Sequence, residues 1–145
     1  MKKLLIILSV LICFACDPMN GKMSFKNESD SDIYIRIIFF KDSTVIGTMV
    51  GLRNIKAYEN RKIGKLYSWE SEFENANKDS LSIVIYDNYD FLSNSDEQSN
   101  KIKSDSLLKV GDFEYKNYTL KDLNRLKWQI TYPDDGFKKG EKLKE

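Results

Sequence analysis

The side chains able to do chemistry in this chain are few in kind. There are two cysteines, 22 carboxylates, eight tyrosines, eight phenylalanines and two tryptophans, and there is no histidine. That absence removes Ser-His-Asp and Cys-His catalysis and any imidazole zinc site. No Gly-rich phosphate loop, G-x-S-x-G elbow or C-x-x-C pair occurs in the 145 residues. The run Asp87-Asn88-Tyr89-Asp90, with Asp96 and Glu97 beyond, offers oxygen ligands to a hard cation. It lacks the alternating acids, the sixth-position Gly and the twelfth-position Glu of a calcium loop, so a solvated loop is the better reading. Glu70, Glu72 and Glu74 fail as glycosidase carboxylates. That mechanism needs two acids facing one another about 5–10 Å apart, and acids two apart on a short helix diverge. Neither a catalytic centre nor a metal or cofactor site is therefore expected.

The cysteines belong to different chemistry. The chain starts MKKLLIILSVLICFAC, where Lys2 and Lys3 precede an apolar run that reaches Ala15. The run falls short of the roughly 20 apolar residues of a spanning helix and suits a secretory leader. Cys13-Phe14-Ala15-Cys16 resembles a bacterial lipobox, in which a small residue precedes a cysteine that is acylated and becomes the new N-terminus. Ala15 fits the position before the cut, whereas Ile12 would be too bulky to serve Cys13, so Cys16 is the expected lipidation site. Cleavage there leaves 130 residues with one cysteine and a formal charge of −1. A lone cysteine forms no internal disulfide, and acylation gives it a reason to be there. Several acyl chains anchor firmly, whereas one myristoyl chain binds only marginally. A chain this close to neutral has no electrostatic footprint for nucleic acid.

The expected organisation is a leader over 1–15, the lipidated cysteine and a tether over 16–22, one β-rich domain over 23–133, and a flexible charged tail over 134–145. Strand periodicity dominates the domain. Ile33, Ile35, Ile37 and Phe39 alternate with Tyr34, Arg36, Ile38 and Phe40, so both faces are partly apolar and the strand belongs inside a sheet. Residues 24–26, 44–50, 81–86, 113–118 and 128–132 read as further strands, with Trp128, Ile130 and Tyr132 on one face. Thr119 followed by Asp122 is an N-cap pattern leading into Leu123 and Leu126. Ser68 could cap a turn of helix carrying Trp69 and Phe73, as core or as surface. Residues 93–106 contain one apolar residue, Ile102, and read as a surface loop. The fold expected from these segments is mainly β, an antiparallel immunoglobulin-like sandwich with one short helix before the last strand.

Taken together, LICFAC, DIYIRIIFF, Trp69-Glu70 with Phe73, LSIVIYD and the closing YTLKDLNRLKWQITYP resemble a family of small Bacteroidetes lipoproteins without a characterised function. The resemblance implies attachment to the cell envelope, on the outer membrane in preference to the inner, and a small β-rich domain. It implies no activity. The expected role is that of a binding or structural module with a protein or glycan partner, and not an enzyme. The alternatives are an immunity protein that blocks a toxin at the envelope and a small carboxylate-dependent hydrolase or carbohydrate binder.

Overall fold

The computed structural model describes residues 21–41, 44–64, 68–75, 80–87, 92, 96–133 and 136–141. Among the described residues eight strands form two sheets: β1 (Met23–Asn27), β2 (Ile33–Lys41), β3 (Thr44–Ile55), β4 (Asn60–Ile63), β5 (Ser80–Tyr86), β6 (Glu114–Thr119), β7 (Gln129–Tyr132) and β8 (Lys138–Lys139). The helices are α1 (Trp69–Asn75), α2 (Glu97–Val110) and α3 (Leu120–Arg125). The larger sheet has the order β3-β2-β5-β6-β8 and is antiparallel throughout. The smaller has the order β4-β1-β7, with β1 antiparallel to β4 and parallel to β7.

The alternation in β2 determines the layering. Ile33, Ile35 and Ile37 point into a core shared by both sheets, where they meet Met23, Phe25, Ile63, Leu81, Ile83, Ile85 and Ile130. On the opposite face, Ile38 joins Val84, Tyr86, Leu92, Leu107, Leu108 and Phe113 in a second cluster under α2. A strand buried on both faces must be central, and β2 lies between β3 and β5. Trp69, Phe73 and Leu123 belong to the first core, so α1 and α3 close one end of the sandwich-like pair. Trp69 and Phe73 are thus core residues. At α3 the expected cap forms: the Thr119 hydroxyl accepts from the Asp122 backbone N–H, and the Thr119 N–H donates to the Asp122 carboxylate, both at 3.1 Å.

Five expectations need correction. The stretch read as a surface loop over 93–106 carries most of a 14-residue helix, α2. Asp96 caps it, accepting from the Ser99 backbone N–H at 2.9 Å, and Gly111 ends it in the left-handed region at φ 82°. Its inner face uses Ser104, Leu107 and Leu108, while Ile102 is 64% exposed. The one apolar residue in the stretch therefore faces solvent and a serine faces the protein, which erases the helical period. The large sheet holds this helix through Arg36, which is only 5% exposed. Its guanidinium donates to Thr48 Oγ1 at 2.8 Å and pairs with Asp105 of α2. Burial pushes the neighbouring Tyr86 phenol well above its ordinary pKa, with the Arg36 charge acting against it.

The remaining corrections are topological. There are three helices among the described residues, not one. The sheets are not purely antiparallel, because β1 and β7 run together. The segment expected to fray after Pro133 contains β8, which pairs with Glu114 and Tyr115, and Phe137, whose ring meets Tyr132 edge-on at 5.3 Å. Strand β3 also runs past Gly51 to Ile55, with bulges in its pairing to β2.

Candidate functional site

Strand β1 runs between two chemically distinct ends of the domain. At its start Lys22 lies beside Trp128, α1 and α3; at its finish the loops 28–32 and 56–59 meet. The second, the loop end, has the features of a presenting surface.

Asn27, fully buried, organises it. Its amide nitrogen donates to the carbonyls of Ser31 at 2.8 Å and Lys56 at 3.0 Å, and its oxygen accepts from the Ser29 N–H at 3.0 Å. Its own backbone N–H donates to the Glu59 carbonyl at 2.8 Å. A side chain bonding its own loop two residues on is the local chemistry that suits Asn to turns. Here the same side chain also ties in a second loop. Asp32 continues the tie, its carboxylate accepting from the Ala57 N–H at 2.8 Å and from Lys56 Nζ at 2.7 Å. Glu59 accepts from the Lys56 N–H at 2.8 Å and from Arg61 Nε at 2.7 Å. The lysine beside Asp32, together with the Ala57 N–H, holds its carboxyl below the usual carboxylate range.

These bonds fix a turn over residues 56–59, closed by the Glu59 N–H donating to the Lys56 carbonyl at 3.1 Å. Its third residue is Tyr58, at φ 58° and 71% exposed. Glycine or asparagine is the ordinary occupant of such a position, and a bulky aromatic there carries strain of about 1–2 kcal/mol. The turn therefore holds an aromatic ring in solvent, on a backbone braced from both sides. Close by, Tyr132 is buried, its phenol pushed up to about 12 by desolvation and by the negative charges of Glu114 and Asp87.

No family model, curated protein or solved structure matches this chain. The reading of the site therefore rests on its own geometry.

The residues singled out from sequence fall elsewhere. Cys16 lies outside the described residues, as do 88–90 of the acidic run. Asp87 is exposed, Asp96 caps α2, and Glu70 pairs with Lys22, which holds its carboxyl below the usual range. Among the described residues no group of histidine, cysteine, aspartate and glutamate side chains is arranged to hold a metal ion. Trp128 is 2% exposed, its indole donating to Asn124 Oδ1 at 2.9 Å, and so is built into the core. Sequence reasoning missed Tyr58, Asn27 and Asp32. Asn27-Glu28-Ser29-Asp30-Ser31 has the composition of a turn, but nothing in the sequence says that Asn27 reaches the 56–59 turn or that Tyr58 takes a glycine's conformation.

Proposed function

We propose that the chain is a lipid-anchored protein of the bacterial cell envelope whose domain is a binding module, with the loop end around Tyr58 as its contact surface. The observation that carries this reading is Tyr58 itself. An exposed aromatic held in a strained conformation persists only where the surroundings over-determine it, and such outliers cluster at ligand contacts. Tyrosine supplies a large contact area with little rotamer entropy to lose, which is why it recurs at interface hot spots.

Binding is favoured over catalysis because the nearest carboxylates are engaged in structure. Asp32 and Glu59 hold backbone N–H groups and cations, and so do not converge on an open space as a hydrolase pair would. A protein partner fits best, since one protruding ring on a rigid turn suits a pocket in a partner better than it suits a flat glycan platform.

An immunoglobulin-like arrangement is part of the proposal. Strands β3-β2-β5-β6 follow the C′-C-F-G order of such domains, and the β1–β4 pair corresponds to B–E. In that correspondence β7 occupies the place of strand A, and the loop end carries the loops between B and C, C′ and E, and F and G. A photoreactive phenylalanine analogue placed at position 58 in cells should give one discrete adduct that is absent when the analogue is placed at position 121. Equal or diffuse labelling from both positions would remove Tyr58 as the contact. Acylation of Cys16 is tested separately by fatty-acid labelling, which Cys16→Ser should abolish.

A further inference from the structure

The chain enters the domain at one end of β1 and offers Tyr58 at the other. At the entry Lys22 pairs with Glu70 and lies 4.4 Å from the centroid of the Trp128 ring. Between the two ends β1 is bonded on both sides. Met23–Lys26 pair antiparallel with Asn60–Ile63 of β4, and Ser24–Asn27 pair parallel with Gln129–Tyr132 of β7. The ladder to β7 is bracketed by the Ser24 N–H, donating to the Trp128 carbonyl at 2.9 Å, and the Glu28 N–H, donating to the Tyr132 carbonyl at 2.7 Å. Met23, Phe25 and Asn27 are fully buried, so β1 cannot slide without dragging all three side chains through the interior.

The direction of a pull decides how such a strand gives way. Antiparallel neighbours start at opposite ends, so β1 starts at Lys22 while β4 starts two residues after Tyr58. Hydrogen bonds in this pairing lie across the strands. A pull between Lys22 and Tyr58 therefore runs along β1 and loads all the bonds of its ladders together. A pull between Lys22 and the far end of β4 instead opens the pairs one at a time, beginning at Met23 and Ile63. The turn over 56–59 spreads the load further. The Asn27 amide donates to the Lys56 carbonyl at 3.0 Å, and Arg61 Nη1 of β4 donates to the Asn54 carbonyl of β3 at 2.7 Å, so both sheets share it.

We propose that the domain is a tension-bearing link, holding a partner at Tyr58 against a pull on its amino terminus through shear of β1 between β4 and β7. The inference rests on the reading of the chain as an anchored binding module. That reading puts the membrane at residue 16 and the partner at residue 58, at opposite ends of one strand that is paired on both sides. Any movement of a bound partner away from the membrane then loads β1 in its strong direction.

Single-molecule force spectroscopy on residues 16–145, which include every described residue, tests the load path. Cys16 supplies one handle. With the second at Tyr58→Cys the pull runs along β1; with it at Lys62→Cys the pull crosses the β1–β4 ladder. Both positions are exposed, and both variants should melt as the parent does. Four register pairs share the load in the first geometry and meet it singly in the second, so at one pulling speed the rupture force should be roughly two- to fourfold higher along β1. Forced unfolding follows the barrier and not the equilibrium stability, so melting does not register this difference. If Tyr58→Cys fails to fold, Ala57→Cys gives the same direction. Equal forces in the two geometries, or a lower force along β1, overturn the proposal. Failure of the anchored-module reading has a different signature: fatty-acid labelling that survives Cys16→Ser, or no discrete adduct from position 58. Either removes the load and leaves the directional difference standing.

Discussion

Replacing Trp128 by alanine removes a side chain that three separate contacts depend on. The indole is 2% exposed, lies 6.3 Å from the Trp69 ring at 46°, and takes the Lys22 ammonium over its face. Emptying so large a buried site costs about 3–5 kcal/mol in lost transfer energy and residual cavity. The Lys22 contact adds about 0.5–1 kcal/mol, at the low end because that side chain is 40% exposed. The hydrogen bond to Asn124 adds little, since Asn124 is exposed and water can replace the indole. The left-handed backbone at position 128, φ 61°, is as unfavourable for alanine as for tryptophan and cancels. The total is about 4 kcal/mol, a large share of a net stability of about 5–15 kcal/mol. For a domain of this size that corresponds to a drop in Tm of about 12–20 °C. Thermal unfolding of residues 17–145, followed by near-ultraviolet circular dichroism, measures it. Trp128→Phe keeps most of the ring and should lose about 1–2 kcal/mol. A drop below about 5 °C for Trp128→Ala would mean the indole is not built into the core, and the argument would fail.

Tyr58→Gly relieves the left-handed strain but adds freedom to the unfolded chain, so stability should change by less than about 1 kcal/mol while the crosslink from position 58 to a partner has no counterpart in binding by the variant; a large loss of stability would make Tyr58 structural. Arg36→Met should be tolerated within about 1 kcal/mol, whereas Asp105→Ala leaves a buried guanidinium short of its counter-charge and should cost about 1–3 kcal/mol; urea titration of both variants and their double checks this asymmetry. On acidification the domain should lose stability through the carboxylate range. The Asp32, Glu70, Asp96 and Asp122 carboxyls all lie below their ordinary values in the fold, so the unfolded chain takes up protons first. Their contribution is full above the ordinary range and disappears as pH falls through the folded values. In alkali the sign reverses, because Tyr132, raised to about 12, and Tyr86 keep their protons longer folded than unfolded; stability should hold to about pH 10 and decline above it, as phenolate absorbance during unfolding will show.

The parts of the fold legible in the sequence are those where one face of an element carries the signal. β2 and β5 announce themselves by alternating β-branched residues, and the Thr119–Asp122 box marks the start of α3 without help from tertiary structure. Strand β4 is hidden because only Ile63 among its four residues faces the core. Helix α2 is hidden because its buried positions include Ser104, and its stability comes from a cap, two leucines and an arginine donated by a strand far away in sequence. The loop end was illegible for a related reason. Its turn depends on Asn27 reaching across to Lys56, a contact that exists only once the β1–β4 register is set. What sequence can carry is local preference; the strain at Tyr58 is a property of the assembled pair of loops.

The parallel pairing of β1 with β7 also governs when the domain can fold. Phe25 pairs with Ile130, about 105 residues later, so the smaller sheet cannot close until nearly the whole domain is available. At synthesis rates of roughly 5–20 residues per second, β1 waits on the order of 5–20 s for its partner. During that wait Met23 and Phe25 have no complete core to enter, and the early hairpin of β2 and β3 lacks its cover. Contacts so distant in sequence also make the final closure slow, because the loop entropy is spent before the contacts form. A chain built this way completes its core only when its last long strand has been made, and until then the inner face of β2 and β5 is the surface most exposed to non-native contacts.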